Sequence, residues 1–333
     1  MSNELVVVWR VTERCNLSCP FCAYDWTLGR SRRDASIEEV LTFGKILRDV
    51  RNKRDVLVSW LGGEPFLWKP LLEVSHMFKH EFGLRVAVTT NGMALKLKTI
   101  RERIAADFDQ ITISVDHVGI EHDQLRGAVG LFAELKSSVR ELIYLAEEKH
   151  SSLLVRVNIV LMRKTIRDFE SLCNELADWG VDEVTFNSLG GRDRPEFFPA
   201  NCLTENNVIW FAAELPRIRE EMTRRGLLIQ GTDAYLKRMM ASARGEMFGV
   251  DDCWPGRQFL FVDESGIAAP CHFTVDGYGI PIHEMHSAAD LEILPSMFQT
   301  RKQRVMLPPC LDCKSTQVFG KFNRQPMEIL ECP

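Results

Sequence analysis

Between Leu5 and Asn187 short β-branched runs alternate with longer stretches of helical periodicity. The runs Leu5–Val11, Val56–Leu61, Arg85–Thr90, Gln110–Val115, Leu154–Leu161 and Glu183–Asn187 predict six strands, and the stretches between them predict helices. Strand and helix in strict alternation are the pattern of repeated βα units around a parallel sheet. Ser36 with Glu39 forms a capping-box pattern, after which Val40, Phe43, Leu47 and Val50 share one helical face. Thr165 with Asp168 opens another helix, whose apolar positions Phe169, Leu172, Cys173 and Leu176 precede a stop at Gly180. Cys173 is therefore expected in the core.

After Gly190 the pattern changes. A loop rich in Gly and Pro leads into helices over Asn207–Arg225 and Ala234–Gly245, and beyond Asp251 only short strands and turns are expected. That last segment is dense in Pro, Gly and Cys, too small for a robust core of its own, and would gain stability from a bound metal.

Composition narrows the class. With 333 residues, 45% hydrophobic and 26% charged, the chain has material for one large core and a satellite. A net charge of -5 gives no general attraction to nucleic acid or to an acidic membrane, so neither is expected as a partner. The apolar run Leu5–Trp9 is too short for a secretory signal or a membrane span, which points to the cytoplasm. In a reducing compartment clustered cysteines more often bind metal than pair as disulfides. Of the ten, Cys15, Cys19 and Cys22 crowd one end and Cys253, Cys271, Cys310, Cys313 and Cys332 the other, which implies two sites.

The first group, Cys-x3-Cys-x2-Cys, directly follows the first strand. A tetrahedral zinc ion would want a fourth protein ligand, and the nearest histidine in sequence is His76. A cubane cluster held by three thiolates would instead keep one iron open for a small molecule. The loop with Cys15, Cys19 and Cys22 resembles the radical S-adenosylmethionine (SAM) superfamily, and further segments extend the likeness. Gly62-Gly63-Glu64-Pro65 after the second strand resembles the family's Gly-Gly-Glu-Pro element, which holds the methionyl ammonium of SAM. Glycines there permit close backbone approach, and a carboxylate is the natural partner of an ammonium. Phe21 matches the aromatic position near the adenine. Asn91, in Thr90-Asn91-Gly92, belongs to a common Thr-Asn-Gly element. Ser114 and Asp116 at the fourth strand, followed by His122-Asp123 and Arg126, are similar to a pattern in which the serine approaches the cofactor and the arginine pairs with its carboxylate. The resemblance implies a partial (β/α)6 TIM-like barrel over residues 1–190, a 4Fe-4S cluster, SAM and a 5'-deoxyadenosyl radical.

The second group reads Cys253-x12-Gly266-x4-Cys271, then Cys310-x2-Cys313. Four thiolates from separate segments can close a metal site, and on spacing alone zinc and an iron-sulfur cluster both remain open. The array is similar to the twitch domain of some radical SAM enzymes, a shortened SPASM domain with one auxiliary 4Fe-4S cluster. No cysteine occurs between Lys314 and Glu331, which argues for one cluster; Cys332 is a doubtful further thiol. The expected organisation of this α/β chain is a barrel over 1–190, connecting helices over 191–250 and a small cysteine-rich C-terminal domain over 251–333. Arg30, Arg32 and Arg33 suit either a solvated face or an acidic partner. His272, His283 and His286 carry no assignment.

The function implied is reductive cleavage of SAM with hydrogen abstraction from a small molecule such as a sugar or aminocyclitol, fed by a flavodoxin- or ferredoxin-type electron donor. No peptide-recognition segment precedes the first strand, which tilts the expectation toward a small molecule; a maturase of ribosomally made peptides is the alternative. An iron-sulfur carrier or zinc-binding protein is the non-enzymatic one, and a SAM cradle argues against it.

Overall fold

The computed structural model describes residues 4–191 and 194–322. Six βα units open the chain, each strand feeding a helix that packs outside it. The strands are β1 (Leu5–Thr12), β2 (Val56–Gly62), β3 (Arg85–Thr90), β4 (Gln110–Ser114), β5 (Leu154–Leu161) and β6 (Glu183–Ser188), all parallel to their neighbours. The helices are α1 (Ile37–Arg51), α2 (Leu71–His76), α3 (Lys98–Asp107), α4 (Ile120–Arg126), α5 (Leu131–Glu148) and α6 (Phe169–Trp179).

Alternation along β1 shows how the layers form. Leu5, Val7, Trp9 and Val11 are fully buried against the helices, while Val6, Val8 and Arg10 are half-buried on the opposite, luminal face. Ser36 caps α1 by accepting from the Glu39 N–H, which sets Val40, Phe43, Leu47 and Val50 inward. Phe43 then meets Trp9 edge-on at 5.6 Å, and Trp60 of β2 lies beside Trp9 at 5.9 Å. Burial of each such side chain stabilises the layer by about 1.5–3 kcal/mol. Cys173 is buried on the inner face of α6, as its pattern required, and Gly180 ends that helix at a φ of 87°.

The sheet does not stop at six strands. The connecting segment carries α7 (Phe198–Asn201), α8 (Glu205–Arg224), a short β7 (Leu228–Ile229) added to β6, and α9 (Asp233–Arg244). Beyond it, β8 (Phe259–Val262) pairs in parallel with β1, and β9 (Ile267–Ala269) and β10 (Ile280–Pro281) follow antiparallel. The described residues thus form one ten-stranded sheet, β10-β9-β8-β1-β2-β3-β4-β5-β6-β7, in which β1 and β6 do not meet and the barrel stays open. The expectation of only strands and turns beyond Asp251 was incomplete: α10 (Val275–Tyr278), α11 (Ala288–Arg304) and α12 (Pro308–Leu311) lie there. Ser287 and Asp290 form a full capping box for α11, which buries Leu291, Leu294, Phe298 and Lys302 despite Pro295. Among the described residues no helix is long and apolar enough to cross a membrane.

Candidate functional site

The loop leaving β1 carries the three cysteines. Its turns are closed by the Cys22 N–H to the Cys19 carbonyl at 3.0 Å and the Trp26 N–H to the Leu17 carbonyl at 3.2 Å. The arginines after it fold back as staples. Arg32 donates to the Glu13 carbonyl at 2.7 Å and also to the Asp25 carbonyl, Arg30 donates to the Ala23 carbonyl, and Arg33 reaches Ser265 at 3.1 Å. Gly127, just after α4, abuts Ser18 so closely that a Cβ there would fall 2.1 Å from its Oγ. Burial pushes the Cys19 thiol up to about 12 and raises Cys15. Thiols so placed stay protonated unless a metal replaces the proton.

Glu64 stands at the end of β2, fully buried. Its oxygens accept from the Thr90 hydroxyl at 2.8 Å, the Asn91 N–H at 2.8 Å and the Phe66 N–H at 3.2 Å. No cation among the described residues pairs with it, and burial lifts its carboxyl to about 7 against the pull of those donors. Asn91 continues the link: its amide donates to Asn16 Oδ1 at 2.8 Å and lies 3.9 Å from Cys15 Sγ. Gly62 and Gly63 do permit a close approach, but of the chain to itself. A Cβ on Gly63 would fall 2.2 Å from the Arg14 carbonyl oxygen, and one on Gly62 2.6 Å from that of Thr12. Glutamate and cysteine loop are therefore locked in one register, with the Glu64 N–H donating to the Arg14 carbonyl at 2.7 Å.

Asp116 and Arg126 form a buried pair at 2.6 Å, and Asp116 also accepts from the Val160 N–H at 2.9 Å. The ion pair sets Asp116 beside the Arg126 guanidinium, while its buried Oδ2 has no hydrogen-bond partner among the described residues. Arg126 Nη1 lies 3.9 Å from Cys19 Sγ, its guanidinium carbon is 5.4 Å from the Phe21 ring, and its buried Nε has no partner. His122, next to this pair, accepts from the Asp116 N–H and is held neutral, its imidazole lowered to about 3 by burial. Ser114 ends β4 in register with Asn158 of β5.

Cys253, Cys271, Cys310 and Cys313 gather at the other end of the added strands, all half-buried and within electrostatic reach of one another. Burial pushes Cys313 up to about 11. Lys302 donates to the Val250 and Asp251 carbonyls and lies 3.8 Å from Cys253 Sγ; the Tyr278 hydroxyl lies 3.9 Å from Cys310 Sγ. Neither cysteine group brings three sulfurs within 4.8 Å of one another; among the described residues only His76, His80 and Asp107, on the outer surface, converge so tightly. Cys332 lies outside the described residues.

A family model described as the radical SAM superfamily matches residues 9–188, the span from β1 to β6 that carries the cysteine loop, Glu64 and Arg126. The chain belongs to the radical SAM superfamily. It is accordingly an enzyme that uses a 4Fe-4S cluster and SAM, and the site fits both groups. A buried carboxylate without a cation faces the need of SAM's ammonium, and a buried guanidinium with a free N–H that of its carboxylate.

Among curated radical SAM relatives, a PqqA peptide cyclase of Granulibacter bethesdensis is 23% identical over 320 residues, 92% of this chain and 79% of that protein. An Fe-coproporphyrin III synthase of Methanosarcina barkeri is 25% identical over 185 residues, covering 55% of this chain and 44% of that protein, less than half its length. Among solved structures, Streptococcus suis SuiB bound to precursor peptide SuiA matches with a TM-score of 0.67 at 16% identity, over 94% of this chain and 70% of that one. At that identity SuiB shows the fold alone. Thr90 and Asn16, which tie Glu64 and Asn91 into the radical SAM site, were not singled out from the sequence; the Thr-Asn-Gly element was the available signal for the first.

Proposed function

We propose that this radical SAM enzyme modifies a peptide, with Cys15, Cys19 and Cys22 holding the SAM cluster and Cys253, Cys271, Cys310 and Cys313 an auxiliary 4Fe-4S cluster in a twitch-like segment. The observation that carries the SAM assignment is the single hydrogen-bonded unit running from Glu64 through Asn91 to Cys15. Glu64 takes the amino group of SAM and Arg126 its carboxylate, while Asp116 fixes the guanidinium. Phe21 and Ser114 flank the remainder of the cofactor, and Gly62 and Gly63 keep the glutamate in register with the cysteine loop. Reduced by a flavodoxin- or ferredoxin-type donor, cluster and SAM together supply a 5'-deoxyadenosyl radical that abstracts hydrogen.

A peptide is favoured over a sugar or aminocyclitol because the likeness to the peptide cyclase covers 92% of this chain, whereas that to the coproporphyrin synthase covers 55%. The division proposed with this reading is a barrel over 1–190, linking helices over 191–250 and a cluster-bearing segment over 251–333, whose strands β8–β10 share the barrel's sheet.

Anaerobically reconstituted protein is expected to hold about eight irons per chain, of which replacing Cys15, Cys19 and Cys22 by Ala removes about half. Dithionite and SAM should yield 5'-deoxyadenosine, and peptides rather than sugars should accelerate it. Full iron in the triple variant, zinc in the C-terminal site, or no 5'-deoxyadenosine would each defeat the corresponding part.

A further inference from the structure

Alternate residues of β5 and β6 turn polar groups into the barrel lumen, and one cation there has no anion among the described residues. The segment after Cys313 folds back into the lumen, fixed by the Thr232 hydroxyl donating to the Phe319 carbonyl at 2.6 Å, and so carries Lys321 inside. Lys321 is 5% exposed, and its ammonium donates to Asn158 Oδ1 at 2.6 Å. Of its three donors that is the one met by an oxygen acceptor among the described residues, and the Phe322 ring lies 5.0 Å away. The charge that acts on it is Arg156, a like one, whose guanidinium is paired with Glu183 at 2.6 Å and stacks over Phe322. Among the described residues no carboxylate pairs with Lys321.

Its surroundings are under-satisfied in a complementary way. Asn187, the next luminal residue on β6, donates to Asn158 Oδ1, but its own buried Oδ1 accepts nothing. Asn158 is the direct cross-strand partner of Ser114, so these groups stand beside the position assigned to the cofactor. Buried polar groups are rarely left unpaired, and a desolvated ammonium least of all, unless a ligand completes them.

We propose that Lys321 is the substrate anchor, taking a carboxylate of the substrate into the lumen beside Ser114, with Asn187 Oδ1 accepting an N–H or O–H of the same molecule. Resting on the peptide reading above, this names the substrate class as an acidic peptide, engaged through an Asp or Glu side chain or through its C-terminus. Burial and Arg156 lower the Lys321 amine to about 7, a strain that a substrate carboxylate relieves.

Oxidised, reconstituted, SAM-loaded protein is offered three pools of synthetic hexapeptides, and retention is read by mass spectrometry. One pool carries Asp or Glu with blocked ends, the second Asn or Gln at the same positions, the third a free C-terminal carboxylate as its only acid. Wild type should retain members of one acidic pool about tenfold over the amides, as expected for a charge-assisted contact. Which acidic pool it is identifies the source of the carboxylate. Lys321→Arg should keep the preference and Lys321→Met lose it. Asn158→Asp, which supplies an internal anion without removing the lysine, should also lose it. Equal retention of acids and amides by wild type, or a preference surviving in Lys321→Met and Asn158→Asp, overturns the proposal. Wild type that fails to bind SAM overturns the radical reading instead, and leaves the acid preference still legible.

Discussion

Glu64 is surrounded by three hydrogen-bond donors yet lacks a cation, so burial decides its proton and holds its carboxyl near 7. Because the native state keeps a proton that the unfolded chain has released, the ligand-free protein should lose stability as pH rises from about 4.5 to 7. An ammonium seated there favours the ionised form. SAM affinity should therefore weaken by about tenfold for each pH unit below 7, as the proton must first leave. Calorimetric titration from pH 5.5 to 8 checks this, and Glu64→Gln should show weaker binding, by about 1.5–3 kcal/mol, without the pH slope. Arg126→Lys should weaken SAM similarly, since an ammonium cannot hold Asp116 and a ligand with one planar fork. A flat pH profile in wild type would remove the glutamate from its role. Glu64, Arg126 and the cysteines were singled out in the sequence because the family resemblance that marks them is carried by short local motifs. Lys321 was not, because its meaning arises only when residues 321 and 158 are brought within 2.6 Å.

At the level of elements, the sharpest constraint is the seam where β2 leaves the sheet under the exit of β1. A methyl on Gly63 would meet the Arg14 carbonyl at 2.2 Å, backbone that cannot swing aside as a side chain does. Gly63→Ala should part the two segments, lowering both SAM affinity and cluster retention while the far side of the barrel keeps its structure. Iron content and amide exchange along β1 and β5 measure the two halves of that statement. Uniform protection with full iron would mean the seam yields. The six barrel strands could be read to within a residue at either end, because parallel strands buried on a helix-covered face show as dense β-branched runs. Helix α11 escaped notice because Pro295 interrupts it and its short apolar stripe competes with dense turn signals nearby. The joining of β8 to β1 escaped for another reason. Strand pairing across the length of a chain leaves no periodicity to read.

For the whole molecule, that pairing makes the C-terminal quarter part of the barrel's support rather than an appendage. Deleting residues after 250 would strip β8 from β1 and α11 from α1. The truncated chain should aggregate instead of surviving as a free barrel, since a long apolar edge strand recruits partners. Size-exclusion chromatography of the 1–250 fragment decides it, and a monodisperse, cooperatively melting fragment would show the two parts to be independent. The same pairing fixes a timetable. Val6 waits for Phe259, roughly 250 residues later, which at ~5–20 residues per second is on the order of ten seconds to a minute of synthesis. Through that interval the Cys15 loop is already outside the ribosome and able to take up iron, while β1 still offers an open edge to any passing strand. Nascent chains should thus depend on a chaperone until the last quarter emerges, and the proposed ligands Cys15, Cys19 and Cys22 are out of the ribosome before the proposed C-terminal ones exist.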